Sequence, residues 1–108
     1  MNKYRNKKVT RNGITYDSQK EAQRHAILKM LERAGKITDL RRQVKFELIP
    51  AQRENGKVIE RACSYIADFT YYENGVYTVE DAKGYKTPEY KLKKKMMLYF
   101  HGIKIKEV

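Results

Sequence analysis

Hydrophobic and polar positions follow two different periods along this chain, and the switches between them divide it into elements. From residue 18 the period is helical. Ala22, Ala26, Leu28, Met30, Leu31 and Ala34 line one side of a helix predicted over residues 18–34. Ser18-Gln19-Lys20-Glu21 fits a capping box, in which both side chains satisfy helix-terminal N–H groups, and Gly35 marks the stop. Residues 37–49 read as extended, with alternation clearest in Val44-Lys45-Phe46-Glu47-Leu48, and Pro50 ends the run. A turn at Asn55-Gly56 follows, with Lys57-Val58-Ile59-Glu60 starting the next strand. Thr87-Pro88 opens a second helix, predicted over residues 88–100, with an apolar face of Leu92, Met96, Tyr99 and Phe100. Gly102 breaks it, and Ile103-Lys104-Ile105-Lys106 alternates as a last strand.

Residues 64–84, SYIADFTYYENGVYTVEDAKG, are the stretch the rest is organised around. Asn74-Gly75 joins two β-prone runs, and these residue types tolerate the positive φ angles of a tight hairpin turn. Period two then places Asp81 and Lys83 on one face with Val79 and Tyr77, and Glu80 and Ala82 on the other. Asp68 lies on the partner strand, so pairing across the turn brings it toward the Asp81/Lys83 end. It also interrupts the most apolar run in the chain, where an unpaired charge is costly. The element order predicts an α/β domain over residues 17–108: a mixed central sheet of at least four strands flanked by two helices.

Charge sharpens this picture. The 108 residues suit one domain, and a net charge of +11 favours a polyanionic partner, nucleic acid above all. Residues 1–16 form a basic arm with Lys3, Arg5, Lys7, Lys8 and Arg11, in which Asn12-Gly13 turns a small hairpin. Such an arm either grips phosphates or frays in solvent. No apolar run approaches the ~20 residues of a membrane span, and no signal-peptide core is present, which predicts a cytoplasmic protein without membrane contact. Cys63 is the single cysteine, and two separated histidines, His25 and His101, do not suggest a zinc site.

Asp68, twelve intervening residues and then Asp81-Ala82-Lys83 resemble the PD-(D/E)xK nuclease signature, with Ala67 in place of its proline. More narrowly, KYRNKKVTRNGITYDSQKEA, QVKFELIPA, YIADFTY and VEDAKGYKT resemble a family of small phage-encoded proteins grouped with these nucleases. The resemblance implies a restriction-endonuclease-like αβββαβ core and Mg²⁺- or Mn²⁺-dependent cleavage of DNA. It further implies that Asp68 and Asp81 are metal ligands, joined by the Ala82 carbonyl and by Glu21 of the first helix. Lys83 would orient the attacking water. Recombination, DNA processing or packaging would suit such an enzyme, acting in the host cytoplasm if phage-encoded, and a homodimer would supply two cutting centres.

The residues also admit plainer readings. The capping box accounts for Glu21 by itself, and Glu80 rivals Asp81 as ligand should the strand carry a bulge. Gln43 either supports the site from the first strand or is an ordinary polar strand residue. Lys86, Tyr90 and Lys93, just beyond the signature, either contact phosphates or belong to a solvated helix face. The alternative for the whole chain is a non-catalytic basic module that binds DNA or RNA.

Overall fold

A computed structural model describes residues 7–82 and 86–108. Among these, two helices and eight strands form an α/β structure. The strands are β1 (Val9–Arg11), β2 (Ile14–Tyr16), β3 (Thr38–Ile49), β4 (Gln52–Glu54), β5 (Lys57–Glu60), β6 (Cys63–Glu73), β7 (Val76–Asp81) and β8 (Lys106–Glu107). Helix α1 (Gln19–Arg33) precedes β3, and α2 (Pro88–His101) precedes β8. The main sheet has the order β3-β6-β7-β8; β6 pairs antiparallel with both β3 and β7, and β8 lies parallel to β7. Helix, three-stranded meander, helix and strand thus follow the expected order.

Local chemistry fixes these elements. Ser18 caps α1 in extended conformation, its Oγ accepting from the Glu21 N–H at 3.1 Å. Thr87 does the same for α2, accepting from the Tyr90 N–H at 3.0 Å, with Pro88 at the tolerant first turn. The β6–β7 turn has Asn74 at φ 53° and Gly75 at φ 76°, the paired positive angles that match a tight turn to the strand twist. That turn sets the register Glu73↔Val76 through Phe69↔Glu80, which leaves Asp68 and Asp81 as the next opposing positions.

Two apolar clusters flank the sheet. Leu28 and Ile37 pack with Phe69 and Tyr71 on the α1 side. Tyr90 and Met97 of α2 pack with Leu48, Tyr65, Ala67, Val79 and Ile105 on the other. Fully burying a side chain of this size contributes about 1.5–3 kcal/mol, so each helix is held chiefly by a few such contacts. The alternation of β6 reverses between Ala67 and Phe69, so every residue from Ala67 to Tyr71 is buried. Across the pair, Gln43 of β3 has φ 53°, a left-handed backbone at the position facing Asp68.

Several expectations need correction. The last strand is not residues 103–106: Ile103 and Ile105 pack into the α2-side cluster, and only Lys106 and Glu107 pair with β7. Residues 57–60 do not join the main sheet but close a separate, fully exposed hairpin with β4. The inner face of α2 is Tyr90 and Met97, leaving Leu92, Tyr99 and Phe100 exposed. On α1 the buried line is Glu21, Ala22, His25 and Leu28, with Met30 60% exposed. The two polar members of that line are accommodated because each has a partner. For His25 it is the Tyr16 hydroxyl, 2.5 Å from Nδ1, which also docks the β1–β2 hairpin on α1. No helix among the described residues is long and apolar enough to cross a membrane.

Candidate active site

Three elements contribute carboxylates near the level at which β7 ends. Helix α1 contributes Glu21 from its first turn, 2% exposed. The centre of β6 contributes Asp68, 9% exposed, and the end of β7 contributes Asp81, fully buried. Gln43 links the first two: its Nε2 donates to Glu21 Oε2 at 2.9 Å and to Asp68 Oδ1 at 3.4 Å. The left-handed backbone of Gln43 accompanies this placement, opposite the reversal in β6. Asp68 is tied to the β7 end as well, since its Oδ2 accepts from the Ala82 N–H at 2.8 Å. Asp81 Oδ2 accepts from the Tyr65 hydroxyl at 2.5 Å.

Glu21 closes the helix terminus with one oxygen and faces the Asp68 side with the other. Its N–H donates to Ser18, and its Oε1 accepts from the Asp17 N–H at 2.9 Å, so it closes the helix terminus. Its other oxygen faces Gln43 and, at 3.5 Å, Arg42, whose guanidinium lies 4.6 Å over the Tyr16 ring. Burial pushes the Glu21 carboxyl above its ordinary value; the Asp17 N–H pulls it back, and the charge on Asp68 pushes it up again. Tyr65 is raised by burial first and then by its bond to Asp81, which keeps it a hydrogen-bond donor.

Glu80 is turned the other way. It points to α1, where Arg24 grips it with two bonds of 2.8 and 2.6 Å and the Tyr71 hydroxyl donates to it. The regular register of β7 therefore separates Glu80 from the Asp68 cluster. Tyr90, expected to touch phosphate, is corrected to a core residue: it is 4% exposed, and its hydroxyl donates to Glu107 at 2.8 Å. Lys86 and Lys94 pair with the same Glu107, and Lys93 pairs with Glu89. Lys7, Lys8 and Arg11 are exposed on or beside the first hairpin, with Lys8 near Asp17. Lys3, Arg5 and Lys83 lie outside the described residues.

Among the described residues, no three His, Cys, Asp or Glu side chains form a ready-made metal cage. The donor chemistry nevertheless suits a hard cation. Mg²⁺ is generally held by one or two carboxylates, with water and substrate phosphate completing the shell. Glu21 and Asp68, both reaching the same amide nitrogen, are such a pair, with Asp81 and Ala82 adjoining. Sequence reasoning missed Arg42 and Tyr65, which hold the cluster. Neither has a local signal beyond its nearness to Gln43 and Asp68 in the chain.

Fold and cluster together define an α/β domain with a carboxylate site at the end of a β-hairpin. By sequence the chain belongs to the family described as "Protein of unknown function (DUF1064)", whose model matches residues 1–107. No curated protein and no solved structure matches the chain.

Proposed function

We propose that this protein is a Mg²⁺- or Mn²⁺-dependent endonuclease that hydrolyses phosphodiester bonds in DNA. One observation carries the reading: Glu21 and Asp68, buried carboxylates from separate elements, converge on a single neutral amide in a chain of net charge +11. Carboxylates beside a phosphate are repulsive unless a cation lies between them, so a basic protein that gathers them gains nothing from simple binding. Glu21, Asp68 and Asp81, with the Ala82 carbonyl, would hold the ion. When bound, it supplies an acidified water and offsets charge on the phosphoryl oxygens.

The chain's own residues have separate tasks. Gln43 orients Glu21 and Asp68 toward each other, and Tyr65 holds Asp81. Lys83 orients the attacking water and stabilises developing negative charge. The water oxygen bonds to phosphorus as the bond to the leaving oxygen breaks, and that oxygen takes up a proton. Lys3, Arg5, Lys7, Lys8, Arg11, Lys86 and Lys93 supply backbone contacts that position the substrate. A dimer would bring two centres to a duplex or branched junction, which sedimentation tests directly.

The test is incubation of the chain with branched, duplex and single-stranded DNA, in Mg²⁺, Mn²⁺ or chelator. Cutting should require the ion. Asp68→Asn and Asp81→Asn should each lower the rate by at least about 100-fold, the upper range for residues that merely support a bound metal, while DNA binding persists. If no DNA form is cut with either ion, or Asp81→Asn cuts at the parent rate, the basic binding module replaces this reading.

A further inference from the structure

Beyond the carboxylates the same sheet face stays open. Thr70 is the register partner of Val79, next to the Asp68/Asp81 level, and Val44 follows Gln43 in β3. These two residues, with Asp39, Arg41, Tyr72 and Tyr77, line an open depression of about 270 Å³. That is below the roughly 300–1,000 Å³ of a pocket for a drug-sized ligand, and it suits one or two flat groups. Its far end is aromatic: the rings of Tyr72 and Tyr77 lie 5.1 Å apart, tilted by 45°, and are 40% and 39% exposed. Arg41 stands at the rim, 67% exposed and 3.1 Å from Asp39. Tyr77 and Asp81 share a face of β7 four residues apart, about 13 Å at strand rise.

We infer that this depression is a stacking platform for unpaired bases, so that the site takes a single-stranded segment of DNA adjoining the bond to be cut. The occupant is argued from three features. Two half-exposed tyrosines present flat faces that accept any base. The rim carries an arginine in a chain of charge +11, complementary to phosphate, with Asp39 already engaged by Arg41. The third is position: Val44 and Thr70 of its lining stand one and two residues from Gln43 and Asp68 along β3 and β6. A duplex keeps its bases stacked and cannot offer them to tyrosine rings, whereas a frayed end, flap or branch can. This inference rests on the nuclease reading for its biological sense, but its binding test does not depend on cleavage.

The measurement is binding of the intact chain, in chelator, to fluorescent dT12 and to a 12-base-pair duplex. Loss of stacking should weaken dT12 binding by about 5- to 150-fold in the Tyr72→Ala/Tyr77→Ala double variant, with duplex binding changed less than about twofold. Tyr72→Phe/Tyr77→Phe should retain parent affinity because the ring faces remain. Arg41→Gln should flatten the salt dependence for dT12 by about 0.7 in slope. Photocrosslinking of the unaltered chain to iododeoxyuridine-substituted dT12 should map to Tyr72 or Tyr77, a readout independent of any variant's folding. Equal losses for both DNAs, no loss, or crosslinks confined to other residues would overturn the platform. Platform-dependent binding without any cutting would instead retain the platform and remove the nuclease.

Discussion

Two buried carboxylate settings lie side by side between α1 and this sheet, and they are built in different ways. Glu80, fully buried, is met by full positive charge: two guanidinium bonds from Arg24, a tyrosine hydroxyl, and Lys106 at 3.9 Å. Among the described residues, the Glu21–Asp68 pair is met mainly by neutral donors: a shared amide and two backbone N–H groups, with Arg42 at 3.5 Å adding charge. A carboxylate whose task is structural is neutralised inside the protein, because burying it unmatched costs several kcal/mol. On the proposed reading the Glu21–Asp68 pair is completed by a cation instead, with the Arg42 guanidinium no nearer than 3.5 Å. The contrast sets a clamp between α1 and β7 beside a carboxylate pair bonded mostly by neutral groups, which on the proposed reading is the donor set of the ion.

The clamp should break hardest. Arg24→Met leaves the Glu80 charge buried without its bidentate partner, and the expected loss is about 3–5 kcal/mol of stability. Chemical denaturation checks it. Adding Glu80→Gln to that variant should recover most of the loss, because the unmatched charge goes with it. If Arg24→Met unfolds at parent denaturant concentration, the clamp does not hold α1 and the contrast collapses.

The donor set should respond with the opposite sign. Burial raises the Glu21 carboxyl above its ordinary 4.5, so the folded state takes up this proton before the unfolded state does. Ionised Glu21 therefore lowers stability above the raised value, and that penalty vanishes below 4.5. Glu21→Gln keeps a capping side chain and cannot ionise. In chelator its stability relative to the parent should rise from pH 4 to pH 7, on top of a constant cost from its single acceptor oxygen. Urea titrations at the two pH values decide it. An equal difference at both would mean that desolvation is not what separates Glu21 from Glu80.

How much of this contrast the chain announces follows from range. The hairpin turn at Asn74-Gly75 and period two foretell that Asp68 and Asp81 meet and that Glu80 faces away, because register there is set by contiguous residues. The Ser18–Glu21 box foretells the helix start by the same local logic. The Arg24–Glu80 clamp joins residues 56 apart and carries no local mark. The course after Gly102 was also hidden: Ile103 and Ile105 alternate like a strand, yet packing against Tyr90 and Met97 satisfies them without a ladder. The inward side of α2 differs from the expected one for a related reason. A helix with apolar residues on several sides is oriented by its anchors, here the Tyr90–Glu107 bond and the cap, rather than by the apolar count.

Gln43 sharpens the comparison at the smallest expected effect. Its φ of 53° costs a residue with a side chain about 1–2 kcal/mol, which glycine would not incur. Glycine in a strand loses about 0.5–1 kcal/mol through the freedom it gains when unfolded. These two backbone effects nearly cancel, so the stability change in Gln43→Gly should report the lost amide bonds alone, about 1–3 kcal/mol and below the loss at the clamp. What it removes is the amide lying between Glu21 and Asp68. Their mutual repulsion should then grow, and the proposed cutting should fall although none of the carboxylates has been altered. A large stability loss in Gln43→Gly would show that the amide binds the sheet to α1 as Arg24 does. The two carboxylate settings would then be one kind of clamp, made with different donors.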